Sequence, residues 1–207
     1  MTVEEQPSLR DRQAQHVAKE IRLAFVDLVN LKGPNGFSLK DVATSAGVSE
    51  RTMYRYYHGR EEIVEAINQH ELASMEAQLE QARIRLTDLS DPEIMARVFE
   101  IFEESGEFVR AYDLLRQSGQ KGAESAGRTE EVRQAVAQNF GIAEAAVPQL
   151  VGLVRLMSSS TGWIRMTSAD VGLNSREAGY AVQWALEVLI DAARNEPGTL
   201  RPKGGRT

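Results

Sequence analysis

Arg51, Thr52, Tyr54, Arg55 and Tyr56 stand almost side by side in this chain, and Arg60 follows one helical turn later. Every one of them can donate a hydrogen bond, and three carry a fixed positive charge. The chemistry on offer is recognition rather than bond-making. A guanidinium can grip a phosphate or fork onto guanine O6 and N7, and a phenol or a threonine hydroxyl can hold a phosphate oxygen or a base edge. Ser38, Lys40 and Ser49 lie just upstream. They sit where side-chain oxygens and a cation would complete the same face.

Two short helices can position these groups. Ser38 fits an N-cap, with Asp41 three residues on as its capping-box partner, and Leu39, Val42 and Ala43 fall on one face of the helix that follows. Gly47 stands where that helix must stop and the chain must turn, a place that favours positive φ. Ser49 caps the second helix, whose apolar side is Met53 and Tyr57. Two helices crossing steeply over so short a turn need a small residue at closest approach, and Ala43 supplies it. The pattern is that of a helix-turn-helix, whose second helix enters the DNA major groove.

Composition sets limits on the rest. There is no cysteine among the 207 residues, which excludes disulfides and thiolate metal sites and fits a reducing cytoplasm. No apolar run is long enough for a membrane helix, and MTVEEQPSLRDRQ lacks the apolar core of a signal peptide. A cytoplasmic location is expected. The net charge of -6 is unevenly spread: residues 10–60 carry +4, and residues 61–207 carry -8. Attraction to phosphates is therefore concentrated at one end.

The remaining sequence reads as helix throughout, an all-α chain. Arg10 to Lys32 forms a first long helix with Val17, Ile21, Ala24, Phe25, Leu28 and Val29 on its apolar stripe, stopped by Gly33-Pro34-Asn35-Gly36. With the two short helices it makes a three-helix domain over 10–60. A larger helical domain over 61–195 follows, with flexible tails at 1–9 and 196–207. Its helices are expected at 60–86, from Pro92, beyond Ser105-Gly106, at 129–147, from Pro148 to Met166 and from Asn174 to Arg194, with a glycine- and serine-rich loop at 117–129. Met95, Phe99, Phe102, Phe108, Tyr112, Phe140, Met157 and Trp163 are candidates to line an apolar ligand pocket, although such residues also build plain core. Small residues mark the last two helices: Val154, Met157, Ser158 and Thr161 on one, and Ala178, Ala181, Val182, Ala185 and Leu189 on the other. Small side chains let helices approach closely, so these nine residues are expected at a homodimer interface.

Residues 38–63, and above all AGVSERTMYRYYHGREEI, resemble the TetR family of bacterial transcriptional regulators. The resemblance implies a homodimer that represses from a palindromic double-stranded DNA operator and releases it on binding a small molecule. By position it implies that Tyr54, Tyr56 and Arg60 hold phosphates and that Arg51 and Thr52 face base edges. Tyr57 replaces the family's usual Phe, so its hydroxyl needs a partner or must reach solvent.

Rival classes leave little trace. No phosphate loop, nucleophile elbow or metal cluster is present, and His70-Glu71 is followed by Ser74 where a zinc-binding H-E-x-x-H would place its second histidine. An enzyme is not expected, nor a cofactor or metal. An architectural DNA-binding protein without an effector is the alternative.

Overall fold

The computed structural model describes residues 8–81, 91–119 and 125–195. The expected tails, the stretch 82–90 in which the fourth helix should end and the middle of the 117–129 loop fall wholly or largely outside them. The described residues form ten α-helices and no strand: α1 (Leu9–Lys32), α2 (Leu39–Ser45), α3 (Glu50–Tyr56), α4 (Arg60–Gln81), α5 (Ile94–Glu104), α6 (Gly106–Gln117), α7 (Ser125–Asn139), α8 (Val147–Met157), α9 (Ser160–Met166) and α10 (Ser175–Asn195), with one 3-10 turn at Glu144–Ala146. Among them no helix is long and apolar enough to cross a membrane.

The chain divides into two compact units. The first comprises residues 1–73 and 107–122, the second 74–106 and 123–207. The first is larger than the expected 10–60, for a physical reason. Ile21, Phe25 and Val29 of α1, Val42 and Ala43 of α2, and Met53 and Tyr57 at α3 cannot close a core alone. Ile63, Val64 and Ile67 of α4 and Ala111 and Leu115 of α6 complete it. Phe25, Ile21, Met53 and Ile63 are fully buried. Burying each such side chain contributes about 1.5–3 kcal/mol.

In the second unit α5 has a broad apolar face, burying Ile94, Met95, Ala96, Val98, Phe99, Ile101 and Phe102, while Arg97, Glu100, Glu103 and Glu104 keep its other side polar. α10 crosses it at Gly179, where an added Cβ would lie 2.3 Å from the Ala96 Cα. Arg176 of α10 reaches Glu93 and Glu100 at 2.5 and 2.9 Å, and Tyr180 donates to Glu93 at 2.8 Å.

Several boundaries differ from the sequence reading. Pro92 lies in a turn, and α5 starts at Ile94. α7 begins at Ser125, inside the expected loop, and ends at Asn139 rather than running through Gly141, whose φ is +61°. The helix expected from Pro148 to Met166 is broken in two. Ser158 donates to the Val154 carbonyl at 2.7 Å, and Ser159 donates to Leu156 at 2.8 Å while accepting the Gly162 N–H at 3.1 Å. Serine hydroxyls that compete for backbone groups stop one helix and cap the next. Asn174 and Glu177 close the expected capping box of α10.

Candidate nucleic-acid interface

The face begins with how α2 and α3 are fixed. Ser38 accepts the Asp41 N–H at 3.2 Å, and its own N–H donates to the Asp41 carboxylate at 2.8 Å. The Ser38 N–H, and secondarily the Ser38 hydroxyl, hold the Asp41 carboxyl below its ordinary range. At the other end of α2, Gly47 takes φ +65°; its N–H donates to Thr44 and that of Val48 to Ala43. These two bonds make a Schellman motif, which satisfies the last carbonyls and turns the chain directly into α3. Ser49 then accepts the Thr52 N–H at 3.0 Å. Met53 is fully buried and anchors α3 to the core.

With Met53 inward, the opposite side of α3 faces solvent. Arg51, Tyr54 and Arg55 are exposed, Tyr54 to 46%. Arg55 lies 5.2 Å from the centre of the Tyr56 ring, and Tyr56 is half-buried against the core. Thr52 is also half-buried, its hydroxyl 2.8 Å from that of Ser49. It can still accept, but its position is set by the cap. Lys40 and Ser38 are exposed at the start of α2. Eight of the nine expected contact residues therefore lie on α2, α3 and their N-caps, six of them exposed.

Arg60 does not join them. Its guanidinium lies 4.2 Å from the Phe37 ring centre and 4.9 Å from that of Phe25, and it donates to the carbonyls of Pro34 and Phe37. Burial lowers its pKa. These contacts clasp the start of α4 to the turn after α1. A cation held by paired aromatics on another element was not distinguishable, by spacing alone, from one on the surface.

Three further residues belong to this region. Glu50, the first residue of α3, sits 3.9 Å from Lys40 and places an acid beside Arg51. His58 presents its N–H and its ring to Glu62 at 2.8 and 3.1 Å, and these bonds hold the Glu62 carboxyl low. Tyr57 finds the partners its hydroxyl needs: it accepts from Arg22 at 3.3 Å and donates to the Ala18 carbonyl at 3.5 Å.

The second unit holds the other candidates. Met95, Phe99, Phe102 and Trp163 pack together as core, with Phe102 between Phe99 at 5.8 Å and Trp163 at 6.2 Å, and Trp163 donating to Ser175 at 3.0 Å. Phe140 is buried and Met157 half-buried. Phe108 and Tyr112 are not part of this set, since both lie on α6 in the first unit, where Phe108 packs against that unit's core. The expected pocket residues are thus divided between two units.

The dimer candidates differ in exposure. Val154, Ala178 and Val182 are buried inside the protomer, because α10 turns the last two toward the unit's own interior along with Leu186 and Ile190. Met157, Ser158, Thr161, Ala181, Ala185 and Leu189 are half-buried. Among the described residues of the second unit, the exposed large apolar side chains are Trp184 at 68%, Val188 and Tyr180 on α10, Leu156 at 61% on α8, and Val171. α10 carries two apolar stripes, and the spacing of Trp184 and Val188 marked the outer one.

Residues 24–67 match the family model for bacterial regulatory proteins of the tetR family, from the buried half of α1 into α4. Two solved structures share the fold. One is a TetR family transcription regulator from Marinobacter aquaeolei VT8, 20% identical, with a TM-score of 0.60 over 85% of this chain and 97% of that one. The other is the TetR family transcriptional regulator PfmR from Thermus thermophilus, 18% identical, with a TM-score of 0.54 over 95% of this chain and 100% of that one. No curated protein matches the sequence.

Proposed function

Because residues 24–67 form a helix-turn-helix domain of the TetR family, we propose that this chain is a transcriptional regulator that binds a palindromic operator as a homodimer. The observation that carries the reading is the capped α3, anchored by Met53, with Arg51, Tyr54 and Arg55 facing solvent. Arg51, in the first turn of the helix, forks onto a guanine. Tyr54, Tyr56, Lys40 and the α2 amides at Ser38 set the register on phosphates. Two α3 helices reading two half-sites require a dimer. The outward Leu156, Trp184 and Val188 supply its apolar centre. The regulator acts as a repressor, released by a small apolar ligand taken up within the second unit. Ligand binding would favour a spacing of the two α3 helices that no longer matches the operator.

Selecting bound sequences from random duplex DNA tests this directly. A two-fold symmetric site should emerge, and Arg51→Ala should lose discrimination at one base pair per half-site by about 1–3 kcal/mol. Recovery of no preferred sequence would favour an architectural DNA-binding protein instead. Binding of the selected site that stays constant across a panel of lipophilic compounds would count against ligand release.

A further inference from the structure

The first half of α1 is a helix without a tertiary reason to exist. Packing against the core starts only at Val17, and residues 8–13, 15, 16 and 19 are exposed. A stretch of this length is marginal as an isolated helix. It is nonetheless closed at its own end: Ser8 accepts the Asp11 N–H at 3.2 Å, and the Asp11 carboxylate takes the Ser8 N–H and hydroxyl at 3.2 and 2.6 Å. Asp11 is therefore occupied by the cap, and Glu20 faces His16 at 3.8 Å. Arg10, Arg12 and Lys19 have no acidic partner among the described residues, and Arg12, His16 and Lys19 share one stripe of the helix.

The position of α1 beside α3 is fixed by Tyr57, the residue that follows α3. Its hydroxyl bonds the Ala18 carbonyl and Arg22, so α1 passes the end of α3 at residues 18–22. From Ala18 to Leu9 the helix runs on for about 13 Å. That distance matches roughly four base pairs of duplex. We propose that this overhang is a second nucleic-acid surface, in which Arg12 and Lys19 grip phosphates flanking the site read by α3. The occupant follows from charge and from adjacency to the end of α3. The inference rests on the DNA-binding reading above.

The experiment uses the full chain, the selected site and two duplexes, one ending at the site and one extended by about ten base pairs on each side. Binding is followed by fluorescence anisotropy across a salt series, for the wild type and for the double variant R12A/K19A, with helix content checked by circular dichroism. The wild type should bind the extended duplex about tenfold more tightly, and the variant should lose that gain while binding the short duplex as before. The salt slope on the extended duplex should fall by about 2 per protomer. Equal weakening on both duplexes, or no effect of duplex length, overturns the flank contact and leaves the α3 site standing. Failure of the wild type to bind either duplex overturns both readings together.

Discussion

The guanidinium of Arg60 lies over the ring of Phe37, 4.2 Å from its centre, while Phe37 meets Phe25 edge-on at 5.3 Å. The cation thereby joins the start of α4 to the turn behind α1. Its hydrogen bonds to the Pro34 and Phe37 carbonyls complete that turn. Replacing Arg60 with Ala should cost about 2 kcal/mol of stability, from a partly desolvated cation–π contact and charge-assisted bonds. Urea denaturation would measure it. The slope of DNA affinity against salt should stay as in the wild type, whereas a phosphate contact would lower it by about one. A lowered slope with unchanged stability would restore Arg60 to the interface.

Tyr57→Phe removes a hydroxyl that both accepts from Arg22 and donates to Ala18. The ring is buried and stays, so the loss is confined to hydrogen bonding, about 0.5–1.5 kcal/mol in equilibrium unfolding. Arg22 also loses its acceptor. Because these bonds tie α1 to the end of α3, the change should raise hydrogen exchange at the C-terminal turn of α3. A Phe variant as stable as the wild type would show the hydroxyl to be equally well served by water.

The helix-turn-helix was legible in the sequence because each of its instructions is local. Ser38 with Asp41, Gly47, and Ser49 all act within a few residues, and each was found in its expected conformation. The break between α8 and α9 was equally local but harder to read. It depends on serines choosing backbone carbonyls over solvent, and on Gly162, where a Cβ would come within 2.6 Å of the Met157 carbonyl. Long-range facts were not legible. Nothing near Arg60 in sequence announces Phe25 and Phe37, and nothing in α6 announces that Ala111 and Leu115 close the core around α1. On α10 the small residues suggested one face, but Ala178 and Val182 go inward while Trp184 stays out.

Asp41 makes the stability of this region depend on acid. The Ser38 N–H holds its folded-state pKa below the ordinary 3.8. The resulting stabilisation is present above that value and is lost as pH falls below it and through the folded pKa. Asp41→Asn, which cannot titrate, should therefore be less stable than the wild type at neutral pH. The gap should be constant down to about pH 4 and close at lower pH. Thermal melts of both proteins from about pH 7 down to about pH 2.5 would show it. A gap that persists at the acid end would mean that the difference lies in amide geometry and not in charge.

Trp184, exposed at 68% on α10, is the residue on which the proposed dimer turns. Aromatic anchors dominate interface energetics, and an isolated tryptophan on solvent offers the protomer little. Val188 lies one turn along the same side, and Leu156 is the exposed apolar residue of α8. Trp184→Glu places an acid on the outer side of α10 without touching the buried stripe of Ala178, Val182 and Leu186. The variant should keep its helix content and its melting point at high dilution, yet move from dimer to monomer in light scattering. Operator affinity should then fall by at least about a hundredfold, because each half-site must be bound alone. A dimer that survives Trp184→Glu would place the interface on another face.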